Sequence, residues 1–224
     1  IMDIEKKINP KISSEFFFNK ASFLSRLGSG SASRSVLGPL VIWGKTDLFK
    51  NSSDLYAVKY LDKVHNNFRN IQDTILLVDK GQKHISSTVG HGLMNDHSFS
   101  GDRLNQVEKN MKLLNKIIVS GDFDAFTNIV ELEALTLHAM MMTSNPYYLL
   151  IKPNTLNIIN EIWNYRKNTN SEVCFTLDAG ANIHMLYPKK NFNTIQKFIN
   201  EKLSKYCQKG EFINDHVGYG PNKL

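Results

Sequence analysis

Residues 172–187, EVCFTLDAGANIHMLY, contain two apolar segments on either side of a short polar loop. The apolar run at 172–177 predicts a buried β-strand, and 183–187 predicts a second strand that pairs with it. The loop between them begins with Asp178 and is flexible at its Ala-Gly step. These residues therefore predict a strand–loop–strand unit.

Apolar periodicity predicts the elements on both sides of this unit. From residue 71 onward the order is strand, several helices, two strands, helix and strand. That order indicates an α+β fold, a two-layer sandwich with helices on one face of a mostly antiparallel sheet. In the helix at 154–167 we expect Leu156, Ile159 and Trp163 to face inward. The other predicted segments are strands at 35–44 (interrupted by Gly38-Pro39), 55–61, 74–79 and 211–215 and helices at 1–8, 14–28, 102–119, 122–142 and 191–206.

The composition points to anionic partners. The 224 residues carry a formal net charge of +6, which suits nucleic acid, a membrane surface or a phosphorylated small molecule. No run of 18 apolar residues is present, so no membrane span is expected. The only two cysteines, Cys174 and Cys207, lack a metal-type spacing and are expected to be free thiols in a reducing cytosol.

A second notable stretch is RLGSGSASRSVLG at 26–38, which surrounds Arg34 with three glycines and four serines. Glycines allow successive backbone N–H groups to point into a concave anion site. Serine hydroxyls add donors, and the arginine guanidinium matches phosphate oxygens. The alternative is a flexible turn with a surface arginine, and this stretch alone does not separate the two.

Two further loops could carry chemistry. Asp178, mounted at the end of a strand, could act as a general base, or it could simply cap a turn. The loop KHISSTVGH at 83–91 offers hydroxyls and a lysine, or it is a solvated connection. No cluster of His, Cys and carboxylates has metal-ligand spacing, and no GxxxxGK[ST] phosphate loop is present.

Four motifs occur together in a characteristic order. They are GSGSASRS (28–35), HISSTVGH (84–91), LHAM (137–140) and FTLDAGAN (175–182). With them the sequence resembles the diphosphomevalonate decarboxylase family of the GHMP kinase superfamily. The resemblance implies ATP-dependent decarboxylation of mevalonate 5-diphosphate to isopentenyl diphosphate in isoprenoid biosynthesis. In that reaction the 3-hydroxyl is phosphorylated first.

The same resemblance implies the site residues. Asp178 matches the catalytic carboxylate that orients or deprotonates the 3-hydroxyl, and Arg34 matches the arginine that binds the anionic groups of the substrate. Ser29, Gly30 and Ser31 match the diphosphate-binding segment. Another diphosphate contact falls on Ser86 or Ser87. The implied cofactors are ATP and Mg²⁺, and the implied setting is a cytoplasmic homodimer.

The resemblance also implies the domain organisation. Residues 71–224 are expected to form the GHMP-type C-terminal domain, and 1–70 the remainder of the N-terminal domain with the Gly/Ser-Arg loop. The family's lysine-bearing motif and ATP-phosphate loop have no counterpart, so we expect an N-terminally truncated chain that does not turn over alone. Ala181 stands where the family usually has proline, which is expected to loosen the loop without removing the carboxylate.

Other functions remain open from the sequence. A related phosphomevalonate decarboxylase or mevalonate 3-kinase would differ in the phosphate count of its substrate, which side-by-side turnover would reveal. A non-catalytic, anion-binding module would be indifferent to loss of Asp178 or Arg34. A nucleic-acid binder would need clustered basic residues among exposed aromatics, whereas the lysines here are dispersed.

Overall fold

The computed structural model describes residues 2–81, 92–94 and 96–221, and the chain divides into two compact units. The first unit runs to Asp62 and also includes the C-terminal segment from Val217 onward. The second unit is Lys63–His216. The domain assignment of 1–70 and 71–224 stays a prediction.

The first unit consists of two helices, a 3₁₀ turn and a small ribbon. The Ser13 side chain caps the second helix by accepting the Phe16 N–H at 3.1 Å. Of the segment predicted as a strand at 35–44, only Val41–Ile42 form a strand, and the first two residues of the segment belong to the 3₁₀ turn. The elements are α1 (Met2–Ile8), α2 (Ser14–Gly28), a 3₁₀ turn (Gly30–Val36), β1 (Val41–Ile42) and β2 (Val58–Lys59).

The second unit is a four-stranded antiparallel sheet with helices packed against it, which confirms the α+β class. The strand order is β4-β5-β3-β6, so the predicted strand–loop–strand unit forms one edge of the sheet. The elements are α3 (Asn66–Arg69), β3 (Ile71–Leu76), α4 (Ser100–Ser120), α5 (Phe123–Thr143), α6 (Pro153–Thr169), β4 (Cys174–Leu177), β5 (Ile183–Pro188), α7 (Phe192–Phe198), which continues into a π-helical turn (Ile199–Leu203), and β6 (Phe212–His216).

The main core lies between one face of this sheet and helices α6 and α7. Alternate residues of β4 and β5 point into it, as period-2 geometry requires. The Tyr187 hydroxyl is buried there and lies 2.7 Å from Thr74 Oγ1, so its polar end is satisfied. The buried members include Leu76, Ile158, Ile162, Phe175, Leu177, Ile183, Met185, Tyr187, Ile195, Ile199 and Leu203.

Helix α6 buries a different set of side chains from the predicted one. Ile158, Ile159 and Ile162 are buried, whereas Leu156 is 47% exposed and Trp163 is 40% exposed. The expectation that Leu156 and Trp163 face inward is therefore wrong. The Trp163 indole N–H donates to Glu131 Oε2 at 2.9 Å, and this polar contact holds the ring at the margin of the core.

A second, smaller cluster packs on the other side of β4. Cys174 alternates with Phe175 and therefore points away from the main core. It packs with aromatic and aliphatic side chains of α3, α4 and α5: Phe68, Ile117, Phe123, Phe126 and Ile129. Within the described residues, no helix combines the length and the apolar character that a membrane crossing requires.

Candidate functional site

The Gly/Ser-Arg stretch is a tightly bonded 3₁₀ turn. Ser33 is fully buried, and its hydroxyl donates to the Gly30 carbonyl at 2.8 Å. The Ser33 carbonyl accepts the Ser22 hydroxyl at 2.7 Å, and Ser22 Oγ in turn accepts the Ala57 N–H at 2.9 Å. Because buried hydrogen bonds anchor it to α2 and to the segment before β2, the stretch is an ordered part of the first unit.

The polar groups of this turn are presented to solvent. Ser29, Gly30, Ser31 and Arg34 are all exposed. The Ser29 and Ser31 hydroxyl oxygens lie 3.3 Å apart. Within the described ranges, the Arg34 guanidinium makes no hydrogen bond or ion pair, so all five of its N–H donors are available to an anion.

The C-terminal segment supports this turn from behind. A Cβ at Gly38 would lie 2.6 Å from the Gly218 carbonyl oxygen, so the two backbones are too close for any other residue. Gly220 has a φ of +92°, and a Cβ there would lie 2.9 Å from the Val36 carbonyl oxygen. Two glycines thus permit the close backbone approach that holds the end of the turn in place.

In the second unit, Asp178 directly follows the buried strand β4 and is exposed. In the described part of the chain its carboxylate has no hydrogen-bond or ion-pair partner. The loop behind it is anchored at two points: the Thr155 hydroxyl donates to the Ala181 carbonyl at 2.8 Å, and Asn182 Oδ1 accepts the Asp79 N–H at 2.9 Å. The Asp178 carboxylate therefore faces solvent from a loop that is held in place.

A polar network extends these anchors. The Asp79 carboxylate forms an ion pair with Lys152 and accepts the Gly81 N–H at 2.8 Å. The Lys152 backbone N–H donates to Thr155 Oγ1 at 3.2 Å, so Thr155 joins the start of α6 to the acidic loop. Three chain segments are held together beside Asp178. Sequence reasoning missed this network, because nothing local links 79, 152 and 182.

A histidine lies on the strand that follows the acidic loop. His184 Nδ1 is 2.8 Å from Asp73 Oδ2 on the neighbouring strand. This hydrogen bond raises the pKa of His184, and the charges of Asp73, Asp178 and Asp215 raise it further, against an opposing effect of burial. Sequence reasoning missed this pair too, although alternation along β5 could have placed His184 on the face that points away from the main core.

The predicted site residues divide between the two units. Ser29, Gly30, Ser31 and Arg34 lie together in the first unit, and Asp178 lies in the second. Ser86 and Ser87 lie outside the described residues. Across the ranges that the structure covers, no group of three or more His, Cys, Asp or Glu side chains is arranged to hold a metal ion.

The antiparallel sheet, its helices and the anchored acidic loop define an α+β domain of the GHMP kinase type. Residues 74–220 match the family model described as the mevalonate 5-diphosphate decarboxylase C-terminal domain. The chain belongs to this family, and the resemblance drawn from the four motifs is confirmed.

Individual relatives agree with this assignment. Diphosphomevalonate decarboxylase of Ganoderma lucidum is 29% identical over 204 residues, which are 88% of this chain and 49% of that protein. The Saccharomyces cerevisiae enzyme is 28% identical over 188 residues, 81% of this chain and 46% of that protein. The solved structure of MDDEF in complex with MVAPP, AMPPCP and magnesium is 26% identical with a TM-score of 0.75, and the match covers 94% of this chain and 60% of that one. The chain spans about half the length of the curated relatives it matches.

Proposed function

We propose that the protein containing this chain catalyses the ATP-dependent decarboxylation of mevalonate 5-diphosphate to isopentenyl diphosphate. The observation that carries the proposal is Asp178. It is exposed and anchored on a buried strand inside the family-matched domain, and it has no partner in the described part of the chain. Relatives named diphosphomevalonate decarboxylase support the same reaction.

Asp178 is the general base in this proposal. A tertiary alcohol is a poor nucleophile, so a positioned carboxylate must accept the 3-hydroxyl proton as the new phosphorus–oxygen bond forms. The phosphate then leaves with the electrons of its carbon–oxygen bond. The electron pair of the broken carbon–carboxylate bond forms the new double bond, and carbon dioxide is released. The two anchors of the loop hold the carboxylate in place for the first of these steps.

Arg34 and the turn that carries it bind the anionic groups of the substrate. The substrate has a carboxylate and a diphosphate, so it needs fixed donors and positive charge before any chemistry begins. Arg34 offers an unoccupied planar fork within the described residues, and Ser29, Gly30 and Ser31 offer exposed hydroxyl and backbone groups beside it. Ser86 or Ser87 completes the diphosphate contacts in this proposal.

The phosphoryl donor is ATP with Mg²⁺. The support is the related MDDEF structure, which holds AMPPCP and magnesium. No step is assigned to the metal here. We expect the 224 residues alone to lack turnover, because they correspond to about half of the relatives' length.

The test is a coupled assay of ADP release and carbon dioxide release on the whole protein that contains this chain. Mevalonate 5-diphosphate, mevalonate 5-phosphate and mevalonate are offered side by side with ATP and Mg²⁺. We expect turnover of the diphosphate. Preference for the monophosphate or for mevalonate would replace the proposal with the related decarboxylase or 3-kinase.

Two variants test the residue roles. Asp178→Asn should reduce kcat/KM by about 10²–10⁴-fold and Arg34→Ala by about 10²–10³-fold, the typical losses for a positioned base and for a preorganised anion donor. Asp102→Asn and Lys11→Ala change comparable exposed charges outside the proposed site and should leave turnover intact. Full activity of Asp178→Asn would contradict the proposal and favour a non-catalytic module.

The cellular setting belongs to the same proposal. We place the protein in the cytoplasm as a homodimer that binds neither nucleic acid nor membranes. Support for a reducing compartment comes from Cys174 and Cys207, which are both buried free thiols. Sedimentation analysis of the whole protein tests the dimer.

A further inference from the structure

The Trp43 ring packs against the proposed diphosphate-binding segment. A Cβ at Gly30 would lie 3.1 Å from Trp43 Cη2 and 3.7 Å from Trp43 Cζ3, which are both atoms of the six-membered ring of the indole. Trp43 directly follows β1 and is 37% exposed. The ring therefore fills the space beside Gly30, at the one position of this segment that has no side chain of its own.

The other end of the indole is fixed by hydrogen bonds. Its N–H donates to the Asp54 carbonyl at 3.0 Å. Asp54 is held in turn, because its Oδ1 accepts the Lys45 N–H at 2.7 Å and the preceding Ser53 carbonyl accepts the Gly44 N–H at 3.0 Å. Since the single polar group of the indole is bonded to Asp54, Trp43 contributes a fixed apolar surface and no donor to a ligand.

Gly30 is linked to the groups that bind the anion in the proposed function. Its carbonyl accepts the hydroxyl of the buried Ser33 at 2.8 Å, and Ser33 directly precedes Arg34. The Ser29 carbonyl accepts the Ala32 N–H at 3.0 Å, so the residue before Gly30 is bonded within the same turn. A displacement of Gly30 would therefore be passed on to Ser29 on one side and to Arg34 on the other.

We propose that Trp43 is a positioning residue for the Gly/Ser-Arg turn: its ring, held by Asp54, fixes Gly30 and thereby the hydroxyl groups and the guanidinium that bind the diphosphate. The inference rests on the proposed function for the identity of this anion. The contact between the ring and Gly30 is independent of that function.

The first test is a double-mutant cycle on the whole protein, in which calorimetry measures the binding of mevalonate 5-diphosphate without ATP. Gly30→Ala should weaken binding several-fold, because its Cβ meets the fixed ring. Trp43→Phe should also weaken binding several-fold, because a single six-membered ring ends short of Gly30. In the double variant, Gly30→Ala should cost little more, since its Cβ enters space that the indole has left.

The combined loss decides the first test. Because the two residues are in contact, it should be at least about threefold smaller than the product of the two single losses. A combined loss equal to that product would overturn the inference.

The second test separates positioning from general stability by steady-state kinetics of the whole protein. In Trp43→Phe the KM for mevalonate 5-diphosphate should rise several-fold while kcat stays within about twofold of wild type, because weaker anion binding affects the ground state and the transition state alike. A fall in kcat with an unchanged KM would indicate a merely structural role and contradict the inference.

Trp163→Phe is the matched control for the kinetics. Trp163 is 40% exposed, its indole N–H also donates a hydrogen bond, and it lies in the second unit. This variant should leave the KM for mevalonate 5-diphosphate unchanged. An equal rise of KM in both tryptophan variants would overturn the role of Trp43.

The two tests also separate the inference from the proposed function. If the losses in binding are coupled but the whole protein does not decarboxylate, the proposed reaction fails while the role of Trp43 stands. If the protein turns over and the losses are independent, the role of Trp43 fails alone.

Discussion

Arg166 and Glu131 form a two-point ion pair between α6 and α5, with Nη1 to Oε1 at 2.7 Å and Nη2 to Oε2 at 3.1 Å. The same buried carboxylate accepts the indole N–H of Trp163 at 2.9 Å and the backbone N–H of Phe175 at 3.4 Å. Because β4 is an edge strand, Phe175 would otherwise have an unpaired donor there. Glu131 therefore accepts a backbone donor of the edge strand β4, next to the acidic loop.

Replacing Arg166 with methionine should destabilise the second unit strongly. The change leaves the Glu131 charge buried without its counter-ion, which typically costs 3–5 kcal/mol. We expect about 3 kcal/mol, the lower end of that range, because the Arg166 side chain is 26% exposed and water can partly replace it. Urea unfolding of the chain measures the loss.

The matched control is Lys167→Met, which removes the same charge from an exposed neighbour on α6. It should change the free energy of unfolding by no more than about 0.5 kcal/mol. An equal decrease in the free energy of unfolding in both variants would show that the ion pair between Arg166 and Glu131 makes no specific contribution to stability.

Thr155→Val tests the anchor of the acidic loop. Thr155 is fully buried, and its hydroxyl serves both the Ala181 carbonyl and the Lys152 N–H. Valine keeps the shape but leaves both groups unpaired, so we expect a loss of about 1–3 kcal/mol. Amide hydrogen exchange at 178–182 should speed up in the same variant. Thr169→Val, at the exposed end of the same helix, should have neither effect, and unaltered exchange in Thr155→Val would argue against the anchor.

Gly38→Ala tests the close approach behind the Gly/Ser-Arg turn. The added Cβ would meet the Gly218 carbonyl oxygen at 2.6 Å, so the backbone must shift, at a cost of about 1–3 kcal/mol. Gly28→Ala is the control, because a Cβ at this last residue of α2 meets nothing within 4 Å. It should stabilise the chain by no more than about 0.5 kcal/mol, below the gain expected in the middle of a helix, because Gly28 is at the helix end. Thermal denaturation of both variants shows whether Gly38→Ala lowers the stability and Gly28→Ala raises it. An unchanged stability in Gly38→Ala would show that the segment after Val217 packs elsewhere.

The His184–Asp73 pair should make stability depend on pH. The pKa of His184 is raised in the folded protein, first by its hydrogen bond to Asp73, so the folded state binds the proton more tightly than the unfolded state. The resulting stabilisation is complete below the unfolded pKa of about 6.5 and is lost as pH rises through the folded value. Urea unfolding of wild type and His184→Gln should therefore differ most in mild acid and least in mild alkali. A difference that grows with pH would contradict the assignment.

Local pattern explains much of what could be predicted. The two apolar runs around Asp178 became β4 and β5 because period and length are properties of short segments. The long helices α4, α5 and α6 follow their predicted ranges closely for the same reason. The buried face of α6 was predicted wrongly, because the rotation of the helix about its axis depends on the surface that it packs against. The strand at 35–44 is shorter than predicted, because Ser35 and Val36 belong to the 3₁₀ turn and only Val41–Ile42, after Gly38-Pro39, pair as a strand.

The sequence by itself determined the mixed α+β class, the position of Asp178 at the end of a buried strand, and, through four ordered motifs, the family. Only the tertiary structure decided which groups stand beside that carboxylate: Thr155 beneath its loop, and Asp73 bonded to His184 across 111 residues of chain. The physical reason is the distance along the chain over which each kind of interaction acts. Periodicity and turn chemistry act over a few residues, whereas hydrogen bonds between distant segments form only after the whole sheet has set their register.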